Sequence, residues 1–98
     1  MEPAIRLEGG TPGVPRKRKL YTYFISGGDG RVKIGKAVDV ARRLKTLQTG
    51  SSRVLKLLHV IDGDVERGLH AKFSQWRIQG EWFEACEELL AFVEKLRA

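Results

Sequence analysis

Three groups of residues in this 98-residue chain have the types and spacing to do chemistry. The first is "GRVKIGK", Gly30–Lys36, which has the G-x-x-x-x-G-K spacing of a phosphate-binding P-loop. The second is Glu66 with His70, a carboxylate and an imidazole four apart, as one helix face would present them. The third is a concentration of cations. From Arg31 to Lys56 there are eight basic residues against one acid, Asp39. Phosphate chemistry is common to all three. Glu66, facing a basic cleft, is the evident ligand for a hard cation such as Mg²⁺, which keeps several waters and needs few protein carboxylates.

The P-loop reading fails on its surroundings. A P-loop needs a strand before its first glycine, free backbone N–H groups in the loop, and a helix starting at the Lys. It also needs Ser or Thr next, where this chain has Ala37. The intervening Arg-Val-Lys-Ile is strand-like, so its N–H groups belong in a ladder. The next helical pattern begins near Val40, too late to aim its N-terminus at that loop.

Charge and composition narrow the class further. Net charge is +6 with pI about 9.8, and from Glu81 onward five acids stand against two bases. A basic front and an acidic back point to a polyanion partner, most simply DNA or another nucleic acid. Cys86 is the single cysteine, which excludes an internal disulfide and a multi-Cys metal site and fits a reducing, cytoplasmic setting. His59 and His70 are too few for a closed zinc site. No secretory signal, membrane span or membrane partner is expected. Residues 1–19 hold all three prolines and end in Arg16-Lys17-Arg18-Lys19. They read as a disordered basic arm, with residues 20–98 as the folded domain.

These groups must be positioned by a small set of elements. "LYTYFIS" and "RVKIG" alternate and read as strands, with Gly27–Gly30 as the turn between them. Asp39 caps a helix carrying Val40, Leu44 and Leu47, which Gly50 closes. "RVLKLLHVID" reads as a third strand. Asp64 caps a second helix with Val65, Leu69, Phe73 and Trp76 on one stripe, stopped by Gly80. "EWFE", Glu81–Glu84, is a short extended piece, and a last helix runs from about Cys86 to Leu96. The order β-β-α-β-α-(β)-α gives an α+β fold: a small three-stranded antiparallel sheet flanked by helices.

A three-residue turn, Gly28-Asp29-Gly30, fixes the hairpin register. It pairs Gly27 with Arg31, Ile25 with Lys33, and Tyr23 with Gly35. Tyr21, Tyr23 and Lys33 then share a face, and Gly35 leaves open space opposite Tyr23.

With "YFI" at Tyr23–Ile25, "KIG" at Lys33–Gly35, Arg43 eight residues later and Glu66 on a later helix, the chain resembles the GIY-YIG endonuclease superfamily. "KIGKAVDVARRLKTLQTG", "ERGLHAKF" and "GEWF" are similar to a phage and bacterial subgroup, the T5 Orf172-type DNA-binding domain. The resemblance spans about Leu20 to Phe92. It implies metal-dependent phosphodiester hydrolysis of DNA, with Mg²⁺ or Mn²⁺ as cofactor. It makes Tyr23 the residue that activates water, Arg43 the phosphate-stabilising Arg, Glu66 the metal ligand, and Gly35 the second-motif glycine. Two positions depart from the wider pattern: Lys33 stands where the second motif has Tyr, and Leu47 where many members have His or Tyr. The alternative is a non-catalytic nucleic-acid-binding module on the same fold. A third reading is an accessory protein whose acidic C-terminal helix binds a partner.

Pattern separates the candidates. Arg43 lies at the border of the Val40/Leu47 stripe, where packing can hold its fork toward phosphate, while Arg42 projects away. Tyr23 as a base needs a depressed pKa, toward which the Lys33 ammonium and a metal would push. His70 would orient Glu66, touch phosphate or fill a gap. Tyr21, Lys36, Arg42 and Lys45 are expected to contact nucleic acid around the centre. Glu81 and Trp82 read mainly as structural.

Overall fold

The computed structural model describes residues 18–98. The basic arm expected over 1–19 therefore lies, up to residue 17, outside the described residues. The elements are β1 (Tyr21–Ser26), β2 (Arg31–Ala37), α1 (Val40–Thr49), β3 (Lys56–Asp62), α2 (Glu66–Lys72), β4 (Arg77–Gln79), β5 (Trp82–Glu84) and α3 (Glu87–Arg97).

The hairpin forms as its sequence demands. Tyr23 pairs with Gly35, and Ile25 with Lys33. The Gly27 N–H donates to the Arg31 carbonyl at 2.8 Å. Gly28 and Gly30 have φ of 76° and 82°, a region that costs an L side chain but not glycine. The expected cap on α1 is also present: the Asp39 carboxylate accepts from the Arg42 N–H at 3.0 Å.

The sheet is larger than expected. It has five antiparallel strands in the order β3-β1-β2-β5-β4, not three. The second helix is correspondingly shorter. Its apolar stripe predicts a helix to Gly80, but α2 stops at Lys72, a 3-10 turn takes Ser74–Trp76, and β4 follows. Val65, assigned to that stripe, is the N-cap residue and 41% exposed. The physical reason is that β2 has an outer edge whose backbone groups need partners. The β4–β5 hairpin supplies them, and Gly80, with φ of 56°, turns that hairpin rather than ending a helix.

The two faces of the sheet differ in kind. Phe24, Val32, Ile34 and Phe83 point to one side and pack with Leu69, Phe73, Leu89 and Val93 under α2 and α3. Each such side chain contributes about 1.5–3 kcal/mol when fully buried. The register puts Tyr23, Ile25, Lys33 and Gly35 on the other side, which α1 covers. No residue of α1 is fully buried. The helix carrying Arg43 is thus held by little apolar contact and belongs to the less stable part of the fold.

Candidate functional site

Tyr23 is the centre of the α1-covered face, with 1% of its surface exposed. It fits because Gly35 lies across the ladder. A Cβ at Gly35 would collide with the Tyr23 hydroxyl, lie 2.6 Å from its Cζ and 2.8 Å from Glu81 Oε1. Glycine is required here for close approach and not for a positive φ. Tyr23 and Lys33 share the face as the turn length predicts.

Arg43, exposed on α1, lies close enough to the phenol for its charge to favour the phenolate. Burial nevertheless pushes the Tyr23 pKa up from its ordinary value; Arg43 opposes this, while Glu81 and Glu66 add to it. The depressed pKa expected from a Lys33 neighbour is not what the fold provides. Lys33 spends its charge on Glu81, with Nζ 3.3 Å from Oε1 and only 11% of its side chain exposed.

Glu66 arrives from the opposite layer. On its outer side β2 is paired with β5 only over Arg31–Lys33, and the Ile34 N–H donates to the Glu81 carbonyl at 2.9 Å. Beyond Ile34 that edge has no strand partner among the described residues. α2 packs against β2 there. Thr22 decides where α2 begins: its buried hydroxyl donates to the Gly63 carbonyl at 2.8 Å and accepts from the Val65 N–H at 2.9 Å. His70 pins the next turn, with Nε2 2.8 Å from the Ile34 carbonyl and its ring edge-on to Phe83 at 4.9 Å. As an Nε2–H donor, that imidazole acts on the orientation of α2 and of Glu66.

Glu66 Oε2 is buried with no hydrogen-bond partner. Desolvation, then the adjacent Glu81 carboxyl, raise the Glu66 pKa, and His70 and Lys36 pull it back. Two ionised carboxylates cannot bond each other, since both only accept. Glu66 and Glu81 would hold a divalent cation whose charge would offset both the desolvation and the mutual repulsion, and carboxylate donors suit Mg²⁺ or Mn²⁺. These donors fit such an ion. Among the described residues no cluster of three or more His, Cys, Asp or Glu side chains forms a fuller metal site.

Tyr23, Arg43, Glu66, Glu81 and Lys33 therefore converge, with Gly35 as the space between them and His70 as support. The other candidates flank them. Lys36 is held by Asp64 at 3.2 Å. Tyr21 lies under the Lys19 ammonium, 5.5 Å from its ring centroid. Arg42 and Arg43 line one shallow hollow beside α1, and Lys45 is exposed on the same helix. Glu81 is the residue that sequence reasoning undervalued. Its one local signal is the preceding Gly80, which marks a turn able to aim it inward.

The T5orf172 domain family model matches residues 20–97. No curated protein and no solved structure matches the chain. No helix among the described residues is long and apolar enough to cross a membrane.

Proposed function

The chain belongs to the T5orf172 domain family, a nucleic-acid-related assignment, and from that premise we propose a metal-dependent DNA endonuclease of GIY-YIG type. The observation that carries this reading is the orphaned Glu66 carboxylate oxygen beside Glu81, within one group that also holds Tyr23 and Arg43. A buried carboxylate without a partner is costly, and a site that binds a cation is a reason to keep it.

Each side chain then has a task. Glu66 and Glu81 would hold Mg²⁺ or Mn²⁺, which would supply Lewis-acid stabilisation of phosphoryl oxygens. Arg43 offers its fork to the scissile phosphate from α1. Tyr23 keeps its proton until charge changes around it, with Arg43 already favouring the phenolate. Lys33 anchors Glu81. Thr22 and His70 are positioning residues for Glu66. Lys36, Arg42, Lys45 and Tyr21 hold the flanking backbone.

Two observations favour the alternative, a non-catalytic nucleic-acid module: Tyr23 is pushed away from the phenolate and Lys33 already neutralises Glu81. Plasmid nicking with Mg²⁺ or Mn²⁺ separates the two. Cleavage by the wild type, lost in both Arg43→Ala and Glu66→Ala, is the outcome for a nuclease. Salt-sensitive binding with no metal-dependent cleavage is the outcome for a module.

A further inference from the structure

A second site adjoins the first, on the far side of Lys33. The hairpin tip, the C-terminal end of α1 and the segment 51–55 enclose an open groove of about 460 Å³. Arg31, Lys33, Arg53 and Trp82 line it, with Thr46 and Ser51, whose hydroxyls donate to the Arg42 and Arg53 carbonyls. Trp82 lies across from Lys33 on β5. Its ring has the Arg31 guanidinium 4.9 Å and the Lys33 ammonium 5.2 Å from its centroid. Gly27 admits this ring, since a Cβ there would lie 2.9 Å from Trp82 Cζ3.

The groove is built in advance of any ligand. Asp29 Oδ2 accepts from both Arg31 Nη2 and Nε, at 2.7 and 2.8 Å, which fixes the guanidinium over the indole. Gln48 ties down the opposite wall, donating to the Arg53 carbonyl at 2.8 Å and accepting from the Leu55 N–H at 2.7 Å. A held guanidinium loses little freedom on binding. Arg53 also lines the groove and has no carboxylate within ion-pair distance among the described residues, its charge acting on Asp29 only at longer range.

A flat cation-on-aromatic ledge next to a free Arg suits one kind of ligand. An unpaired nucleotide can stack its base on the guanidinium–indole ledge and place its phosphate against Arg53. A base inside a duplex has no free face to offer. We propose that this groove is a subsite for an unpaired nucleotide flanking the phosphate at Tyr23, so that the substrate is DNA with a single-stranded segment. This inference rests on the endonuclease reading for its placement, but the binding it describes does not require cleavage.

The test uses the full chain carrying Trp76→Phe in EDTA. Trp76 packs against Phe73, away from the groove, so the remaining indole fluorescence reports on Trp82. An eight-thymidine single strand is expected to quench that signal and to bind about tenfold more tightly than a blunt duplex of equal length. Arg53→Ala is expected to reduce the slope of log affinity against log salt by about 0.7, one phosphate contact on a single strand. The Arg53 bonds to Gln48 and Ser51 run through its backbone, so this variant keeps the fold. Absence of quenching, equal affinity for the duplex, or an unchanged salt slope in Arg53→Ala overturns the subsite. Wild-type nicking together with any of those results leaves the nuclease standing alone. Quenching and the slope change without metal-dependent nicking leave the subsite standing and remove the nuclease.

Discussion

Replacing Glu66 by Gln should make the protein more stable at neutral pH and abolish its cation response. Glu66 is raised above its ordinary value by desolvation and by Glu81, so the folded chain binds the carboxyl proton more tightly than the unfolded chain does. Stability therefore falls as pH rises from the ordinary carboxylate range through the raised value, and the full penalty is present above that value. Below the ordinary carboxylate value both states are protonated and the penalty vanishes. Gln has no charge to desolvate, and its amide can donate to Glu81. Removing one unsatisfied buried carboxylate oxygen is worth roughly 1 kcal/mol, which raises Tm by about 4–8 °C in a domain of this size. The assay is thermal unfolding by circular dichroism at pH 7 and pH 3, in EDTA and in Mg²⁺. The variant should exceed the wild type in EDTA at pH 7 and match it at pH 3. Mg²⁺ at a hundred times its Kd should add about 2.7 kcal/mol to the wild type and nothing to the variant. A variant no more stable at pH 7, or one that gains equally from Mg²⁺, would refute the reasoning.

Three other substitutions probe the same construction. Gly35→Ala puts a Cβ 2.6 Å from Tyr23 Cζ, so it should cost about 1–3 kcal/mol in urea unfolding and remove nicking activity. Arg43→Lys keeps the charge but loses the fork. Nicking should fall about a hundredfold while affinity at low salt stays near wild type. Thr22→Val leaves the Gly63 carbonyl and Val65 N–H without partners. It should destabilise by about 1–3 kcal/mol and weaken Mg²⁺ binding measured by calorimetry, because α2 loses the anchor that sets Glu66.

The hairpin and the first helix were legible because their information is local. Gly28-Asp29-Gly30 sets the turn, the turn sets the register, and the register alone brings Tyr23 to Gly35 and Lys33 to its face. Asp39 and Gly50 bracket α1, and the Val40/Leu47 stripe predicts that Arg43 rather than Arg42 turns inward; Arg43 is the one that acts on the Tyr23 phenol, but both arginines are exposed and line the same hollow. The segment after Lys72 was not legible. Phe73 and Trp76 continue a helical period, but an open strand edge elsewhere offered backbone bonds that a helix there would have left unmade.

The residue types themselves were fixed by the sequence: a tyrosine, an arginine and a glutamate in order, on a basic surface, around a glycine with no side chain. Tertiary structure alone decided who meets whom. Glu66 and Glu81 share one field because the β4–β5 hairpin docks on β2 and stops at Ile34, leaving an edge that α2 can cross. Lys33 faces Glu81 and Trp82 rather than Tyr23 for the same reason. Turns and caps act over a few residues, so sequence carries them. The burial, pairing and desolvation that set a pKa depend on segments far apart in the chain, and they come into being only when those segments pack.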